Sequence, residues 1–323
     1  MKQKTTLSHT DQQAFTAYLQ GKGLSISSII SYRSNVELFF SRTSKEGLEI
    51  TKTDILKHLE HLRRYKKQQS TTRKLHLIAL NHYFTFLIEQ EIITKNPCLS
   101  LKLRGTKKQK LHQTFTTEEI QNINDNYYEH YVRNYDDSHI KAHNREHAKL
   151  SRERNATMLG ILLYQGVTTK EVDQIELRDI DLIKAKIEIK GGKKSNKRTL
   201  ELRAGQIGML LYYLQNTRPK LLEYNTIESE KLFLPLPAYS QKTTNKENIM
   251  HIFKQLTKQV KAIEPSFINF KQIRASVITH WLKTKNLRQA QYLAGHRYIS
   301  STENYLPQNI ENLSKTINEI HPY

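Results

Sequence analysis

Four residues that together could attack a phosphodiester lie between positions 271 and 305. Lys271 and Arg274 are three residues apart, so on a helix their side chains leave the same face. His296 follows in the segment AGHR, and Tyr305 comes nine residues later. A tyrosine hydroxyl is a nucleophile, while cations and an imidazole can stabilise the charge that develops on phosphate oxygens. These types and this spacing predict transfer of a phosphoryl group to Tyr305.

The segments KQIRA (271–275) and AGH (294–296), followed by Tyr305, resemble the C-terminal signature of the tyrosine recombinases, or phage-integrase type. That signature reads H-x-L-R-H, then L-G-H, then a tyrosine nine residues after the last histidine; the spacing is kept here although several letters differ. The resemblance implies that Tyr305 forms a 3′-phosphotyrosyl link. It further implies that Arg274 and His296 bind the same phosphate, with no metal and no cofactor.

The resemblance also implies a general-acid lysine at the turn of a β-hairpin, before a K-x-R element. The match is Lys193 in IKGGKKSNKRTLEL, with Lys194 as the alternative register. The alternation of apolar residues on either side of the Gly-Gly and Asn turn predicts this hairpin independently of the resemblance.

Two positions depart from the family pattern. The first arginine of the family, in T-G-L-R-x-x-E-L, corresponds to Thr168 in QGVTTKEV (165–172). Arg154, Arg152 and Lys170 are the candidates to replace it, and we favour Arg154 because a long side chain on the preceding helix could reach the cleft. The second departure is Lys271, which stands where the family has a histidine and can still donate to phosphate.

Around these residues the pattern is mainly helical. Residues 152–182 read as an apolar helix, a glycine turn, a second helix and the approach to a strand. Further helices are predicted at 205–216, 247–261, 269–283, 287–294 and 309–319. With the hairpin, they predict a mainly α catalytic domain with a small antiparallel sheet. An apolar stripe between 310 and 320 is expected to pack either within its own domain or, as the resemblance implies, on a neighbouring protomer.

The N-terminal part reads as a bundle of four or five helices. One spans about 8–20, and the next is capped by Ser25 or Ser27. In the long helix after residue 70, the residues expected to point inward are Leu75, Ile78, Tyr83, Phe84 and Leu87. We therefore predict two domains, a core-binding bundle at 1–103 and a catalytic domain at 116–323, joined by a basic linker at 104–115.

The charge is strongly basic, with 51 Lys and Arg against 31 Asp and Glu and a formal net charge of +20. Residues 1–115 hold 20 Lys and Arg against 8 Asp and Glu, so the excess is concentrated there. Such an excess fits nucleic acid, an anionic membrane surface or a basic scaffold, and the resemblance implies duplex DNA. The candidate DNA-binding residues are Arg33, Arg63, Arg64, Lys66, Lys67, Thr72, Arg73, Lys74, Lys107, Lys108 and Lys194.

Other function classes receive little support. The sequence has one cysteine, Cys98, no run of 18 apolar residues and no secretory signal, which indicates a protein of the reducing cytoplasm. The richness in Lys, Asn and Ile favours the AT-rich genome of a bacterium or its mobile element, and DNA binding would associate the protein with the nucleoid. His139, His143 and His147 are four residues apart, but no cysteine or carboxylate pattern supports a metal site.

The resemblance thus implies a site-specific DNA recombinase or integrase that serves a mobile element and acts in DNA integration or transposition. As the resemblance implies, it would bind inverted recognition sites as a dimer and pair into a tetramer. One alternative is a catalytically impaired DNA-binding relative, which Thr168 and Lys271 favour. Another is a type IB topoisomerase-like enzyme, whose cleavage would not depend on paired sites.

Overall fold

The structure is a computed structural model that describes residues 9–43, 45, 47–103, 113–192, 195–224, 229–236 and 249–306. Contacts between residues divide the chain into two compact units, 1–109 and 110–323. The helix predicted at 309–319 and the apolar stripe at 310–320 lie outside the described residues. Within these ranges, none of the helices has the length and apolar content needed to span a bilayer.

The described part of the N-terminal unit is helical. Its α-helices are α1 (His9–Gly21), α2 (Ile26–Phe40), α3 (Lys52–Arg64) and α4 (Ser70–Glu89). Ser25 caps α2, since its side chain accepts the Ser28 backbone N–H. Thr51 and Asp54 form a capping box at the start of α3. The predicted bundle is confirmed in these elements.

The core of the N-terminal unit joins α1, α2 and α4 through aromatic side chains. Phe15, Phe40 and Phe84 are almost fully buried, and the Phe15 and Tyr83 rings meet edge to face at 5.3 Å. The expectation for Leu75 was wrong, because 48% of this residue is exposed. Tyr83, Phe84 and Leu87 are buried as predicted. The buried face of α4 comprises residues 76, 77, 79, 80, 83, 84, 86 and 87.

The C-terminal unit surrounds a long buried helix with shorter ones. Its α-helices are α5 (Thr117–Tyr128), α6 (Ala142–Gln165), α7 (Thr169–Gln174), α8 (Ala204–Tyr212), α9 (Arg218–Glu223), α10 (Ile249–Ile263), α11 (Phe270–Thr284), α12 (Leu287–Ala294) and α13 (Ile299–Glu303). Short π-helical turns follow α5 at Glu129–Arg133 and α8 at Tyr213–Thr217. The second half of α6 is buried almost throughout, so α6 is the centre of this unit.

A three-stranded antiparallel sheet completes the unit. The strands are β1 (Ile180–Asp181), β2 (Lys186–Ile189) and β3 (Arg198–Glu201), in the order β1-β2-β3. The predicted hairpin is therefore confirmed as β2 and β3, and the predicted mainly α fold with a small antiparallel sheet is confirmed as well.

The register of the hairpin places an arginine among apolar residues. Ile187 pairs with Leu200, and Ile189 pairs with Arg198. Because alternate residues of a strand share a face, Arg198 points to the same side as Leu200, toward the core. The hairpin thus carries a positive charge into the unit.

Candidate active site

Two helix ends hold Arg274 in place. Its Nη1 donates to the Gly166 carbonyl and its Nη2 to the Ala294 carbonyl, each at 2.7 Å. These carbonyls lie at the C-terminal ends of α6 and α12, where helix dipoles concentrate negative charge. Gly166 and Gly295, which end the two helices, both have left-handed backbones. Arg274 is therefore fixed on α11 before any ligand binds.

His296 lies against this guanidinium. Its Nε2 is 3.4 Å from Arg274 Nη2, and its Nδ1 is 2.9 Å from Thr302 Oγ1. Burial, together with the positive charges of Arg274 and Arg198, lowers the pKa of His296 to about 4. The imidazole is therefore neutral at pH 7. Because arginine can only donate, Nε2 is assigned as the acceptor, and Nδ1–H then donates to Thr302.

Tyr305 completes the group. Its ring stacks on the His296 ring, with centroids 5.8 Å apart and planes 16° apart, and its hydroxyl interacts with the Arg274 guanidinium. The Tyr305 backbone N–H donates to Thr302, just after α13. The three residues singled out by spacing, at 274, 296 and 305, are therefore brought together.

A carboxylate and a second arginine lie behind Arg274. Glu171 Oε1 accepts from Arg198 Nη1 at 2.8 Å, and Glu171 Oε2 is 3.8 Å from Arg274 Nη1. Burial alone would raise the pKa of Glu171, but the hydrogen bond and charge of Arg198, the Thr168 backbone N–H and the charge of Arg274 together lower it. Glu171 is thus ionised at neutral pH and shared by two guanidinium groups.

Thr168 carries no charge into the site. It caps α7: its Oγ1 accepts the Glu171 N–H at 3.2 Å, and its own N–H and hydroxyl donate to Glu171 Oε2. The side chain that stands where the family has its first arginine therefore orients Glu171.

The three replacements proposed for that arginine are placed differently. Arg154 is fully buried in the core, where it donates to the Leu234 carbonyl at 3.0 Å and to Asn155. The Arg152 guanidinium lies 3.8 Å from the centre of the Tyr135 ring. Lys170 is exposed on the first turn of α7. Our preference for Arg154 needs correction, since its described hydrogen bonds orient it toward the core.

The general-acid candidates Lys193 and Lys194 lie outside the described residues. The hairpin residues that follow them contact the loop that carries His296. The Asn196 N–H donates to the Gly295 carbonyl at 2.9 Å, and Ser195 pairs with His296 in an isolated antiparallel β-bridge. Lys271 is exposed on α11, one turn before Arg274. Among the described residues, no group of three or more His, Cys, Asp or Glu side chains is placed to hold a metal ion.

In the N-terminal unit, most of the predicted DNA-binding residues gather where α3 ends and α4 begins. Arg63 and Arg64 end α3, Lys66 and Lys67 lie in the connection, and Thr72, Arg73 and Lys74 lie in the first turns of α4. Both arginines pair with Glu60, whereas Arg33 bonds Gln12. We call the residues 63, 64, 66, 67 and 72–74 the basic connection. Lys107 and Lys108 lie outside the described residues.

Comparison with known proteins decides the family. Residues 113–311 match the phage integrase family model, and residues 13–91 match the N-terminal SAM-like domain of phage integrases. The chain belongs to the phage integrase family. The resemblance inferred from the motifs at 271–275, 294–296 and 305 is therefore confirmed.

Among curated relatives, the chain is 31% identical over 176 residues to tyrosine recombinase XerD of Staphylococcus saprophyticus. The matched segment covers 54% of this chain and 57% of XerD. It is 30% identical over 175 residues to XerD of Staphylococcus aureus strain N315, with the same coverage. The chain thus spans somewhat more than half the length of the curated relatives it matches.

Solved structures share the fold of this phage integrase family member. A XerH site-specific recombinase bound to a palindromic difH substrate superposes with a TM-score of 0.65 at 19% identity, covering 96% of this chain and 85% of that one. A lambda integrase (75–356) dimer bound to a COC′ core site superposes with a TM-score of 0.62 at 16% identity, covering 95% of this chain and 97% of that one.

Sequence reasoning missed three residues of the site. Glu171 stands at the glutamate of the family's T-G-L-R-x-x-E-L element, which was a usable signal. Arg198 follows Lys197 in the apolar alternation of β3, and an arginine at an inward strand position is a second usable signal. Thr302 carries no such signal, because its role depends on the turn that brings it to His296.

Proposed function

We propose that this protein is a site-specific DNA recombinase or integrase that cuts and rejoins DNA through a covalent link to Tyr305. The link would be a 3′-phosphotyrosine. Family membership supports the reaction class, and the chemistry of the described side chains supports the roles of Arg274, His296 and Tyr305.

One observation carries the proposal: a fixed guanidinium, a neutral imidazole and a phenol lie around a single point. Arg274 is anchored by two helix-end carbonyls, His296 Nε2 is 3.4 Å from it, and the Tyr305 ring stacks on His296. A guanidinium can bind a non-bridging phosphate oxygen in a planar geometry that lysine does not offer. Anchoring before binding means that little reorganisation is needed when the substrate enters.

In the proposed step the Tyr305 oxygen forms a bond to phosphorus, and the bond from phosphorus to the 5′ oxygen breaks. The phenol releases its proton to water, and the leaving 5′ oxygen takes up a proton from the general-acid lysine, so no net proton is consumed. One phosphodiester replaces another, and the bond energy is kept for rejoining. Arg274 and His296 would stabilise the charge on the phosphorane, His296 donating a hydrogen bond once the anion raises its pKa.

We assign the proton for the leaving 5′ oxygen to Lys193, with Lys194 as the alternative, and a phosphate contact to Lys271. A substrate with sulfur at the bridging 5′ position tests the first assignment, because a thiolate leaves without a proton. The Lys193→Ala variant should cleave normal DNA poorly, and its cleavage should be restored on the sulfur substrate. The Lys194→Ala variant should resemble wild type on both substrates. Lys271→Ala should slow cleavage of both; an unchanged rate would remove Lys271 from the site.

The partner would be duplex DNA with inverted recognition sites, bound by a dimer that pairs into a tetramer. A lambda integrase tetramer bound to a Holliday junction shares the fold, with a TM-score of 0.60 at 16% identity, and the XerH substrate is palindromic. A basic N-terminal domain at 1–103 and a linker at 104–115 would bind one face of the duplex. The protein would act at the bacterial nucleoid, for a mobile element.

The test uses a duplex carrying the element's own ends, nicked near the crossover so that cleavage is trapped. Wild type should give a covalent protein–DNA band in EDTA, and Tyr305→Phe should give none. Tyr298→Phe is the matched control, since Tyr298 is 71% exposed in the same segment, and it should keep the band. DNA binding without a band in wild type would overturn the proposal.

That last outcome would favour a second candidate, a DNA-binding relative without cleavage. The observation behind it is Thr168, which leaves the family's first arginine position without a charge. A type IB topoisomerase-like activity is distinguished by relaxation of supercoiled plasmid that lacks the recognition site.

A further inference from the structure

Arg198 is a buried arginine whose guanidinium is only partly bonded. Its side chain is 0% exposed, and its Nη1 donates to Glu171 Oε1 at 2.8 Å. Within the part of the chain that the structure describes, its Nε and Nη2 have no hydrogen-bond partner. A buried charge with spare donors is costly, so its retention calls for a functional reason.

Arg198 lies close to all the central residues of the proposed site. A Cβ on Gly295 would overlap its guanidinium, so the glycine before His296 makes room for it. Burial is the main cause of the lowered pKa values of Arg274 and His296, and the charge of Arg198 lowers both further. The α12–α13 turn therefore packs directly on this guanidinium.

The charges of the cluster can be counted. Arg198 and Arg274 are cationic, Glu171 is anionic and His296 is neutral at pH 7, so the cluster carries a net charge of +1. A scissile phosphate brings −1. Without Arg198, the Glu171 carboxylate would neutralise Arg274, and the site would hold no net charge for the phosphate.

We propose that Arg198, the arginine of the K-x-R element, is a positioning residue that binds Glu171 and thereby frees Arg274 for the scissile phosphate, a role that matters in this chain because Thr168 supplies no first arginine. Arg198 acts through Glu171 and through its own charge, because its enclosed guanidinium does not face solvent. This inference rests on the proposed function, and it replaces Arg154, Arg152 and Lys170 as the source of the second charge.

The test measures single-turnover formation of the covalent complex by full-length variants. Arg198→Gln should cleave about 10²–10³-fold more slowly than wild type, the usual effect of losing one preorganised charge donor. Arg198→Lys keeps the charge and should retain more activity. Arg152→Gln is the matched control and should cleave like wild type, since its guanidinium packs on Tyr135. Tm and non-covalent DNA binding report whether each variant folds.

A second substrate separates charge from architecture. A methylphosphonate at the scissile position replaces one non-bridging oxygen by a methyl group, and so removes the negative charge that the cluster must match. The defect of Arg198→Gln should shrink at least tenfold on this neutral substrate. In addition, Glu171→Gln in the Arg198→Gln background restores a net charge of +1 and should recover part of the cleavage of normal DNA.

The outcomes are distinct. Equal defects on charged and neutral substrates, or cleavage by Arg198→Gln within about threefold of wild type, would show that Arg198 serves the fold alone and would overturn this inference while leaving the proposed function intact. No covalent complex with wild type on either substrate would overturn the proposed function, and this inference with it.

Discussion

Glu171 lies between two arginines: Oε1 accepts from Arg198 Nη1 at 2.8 Å, and Oε2 is 3.8 Å from Arg274 Nη1. Because the first distance is shorter, the carboxylate is bonded mainly to Arg198. Arg274 is instead oriented by the carbonyls of Gly166 and Ala294, so its remaining N–H groups face His296 and Tyr305. This relationship connects the hairpin, α7 and α11 into one charged unit.

Gly295→Ala should destabilise the C-terminal unit and slow cleavage. Gly295 has φ +70°, which costs an L-residue about 1–2 kcal/mol, and the new Cβ would also displace Arg198. Gly208→Ala is the control: Gly208 is exposed within α8 and its Cβ would meet no atom within 4 Å, so the change should stabilise by about 0.5–1 kcal/mol. Urea unfolding of both variants checks the prediction, and equal effects would contradict it.

Thr302→Val should reduce cleavage about tenfold, because the His296 Nδ1–H would lose its acceptor while the shape of this fully buried side chain is kept. Thr302→Ser keeps the hydroxyl and should stay close to wild type. Single-turnover cleavage measures the effect. If the valine and serine variants cleave at the same rate, the hydrogen bond has no part in orienting His296.

His296 should make the folded protein sensitive to acid. Its pKa is about 4 in the folded state and about 6.5 when unfolded, so the unfolded state binds more protons between these values. Stability should therefore fall as the pH drops from about 6.5 to about 4, by about 3 kcal/mol at pH 4. Denaturant unfolding across this range should give a shallower pH dependence for His296→Gln. Identical slopes for the two proteins would contradict the prediction.

The basic connection should contribute to DNA affinity through phosphate charge. Changing Lys66, Lys67 and Lys74 together to Gln should weaken binding, and the slope of log K against log salt concentration should become shallower by about 0.9 for each phosphate that is no longer neutralised. Lys22→Gln is the matched control in the same unit, because Lys22 pairs with Glu89 at 3.1 Å. Titrations at several salt concentrations check both, and an unchanged slope for the triple variant would exclude the basic connection as a phosphate-binding surface.

The sequence by itself determined the local elements and the reacting residues of the proposed site. Apolar periodicity placed α11 and α12, alternation around Gly-Gly placed the hairpin, and the spacing of 274, 296 and 305 selected the residues that the structure brings together. These features depend on residues that are close together along the chain, so a pattern in the sequence is enough to predict them.

Only the tertiary structure decided which cation supports Arg274. Sequence reasoning favoured Arg154 because its long side chain could reach the cleft from the preceding helix, but the described hydrogen bonds direct it to Leu234 in the core. Arg198 bonds Glu171, which lies 27 residues earlier in the chain, and its guanidinium packs against Gly295, which lies almost one hundred residues later. Such an arrangement depends on the register of β3, the cap of α7 and the turn after α12 at once, and no local pattern encodes how separate elements pack.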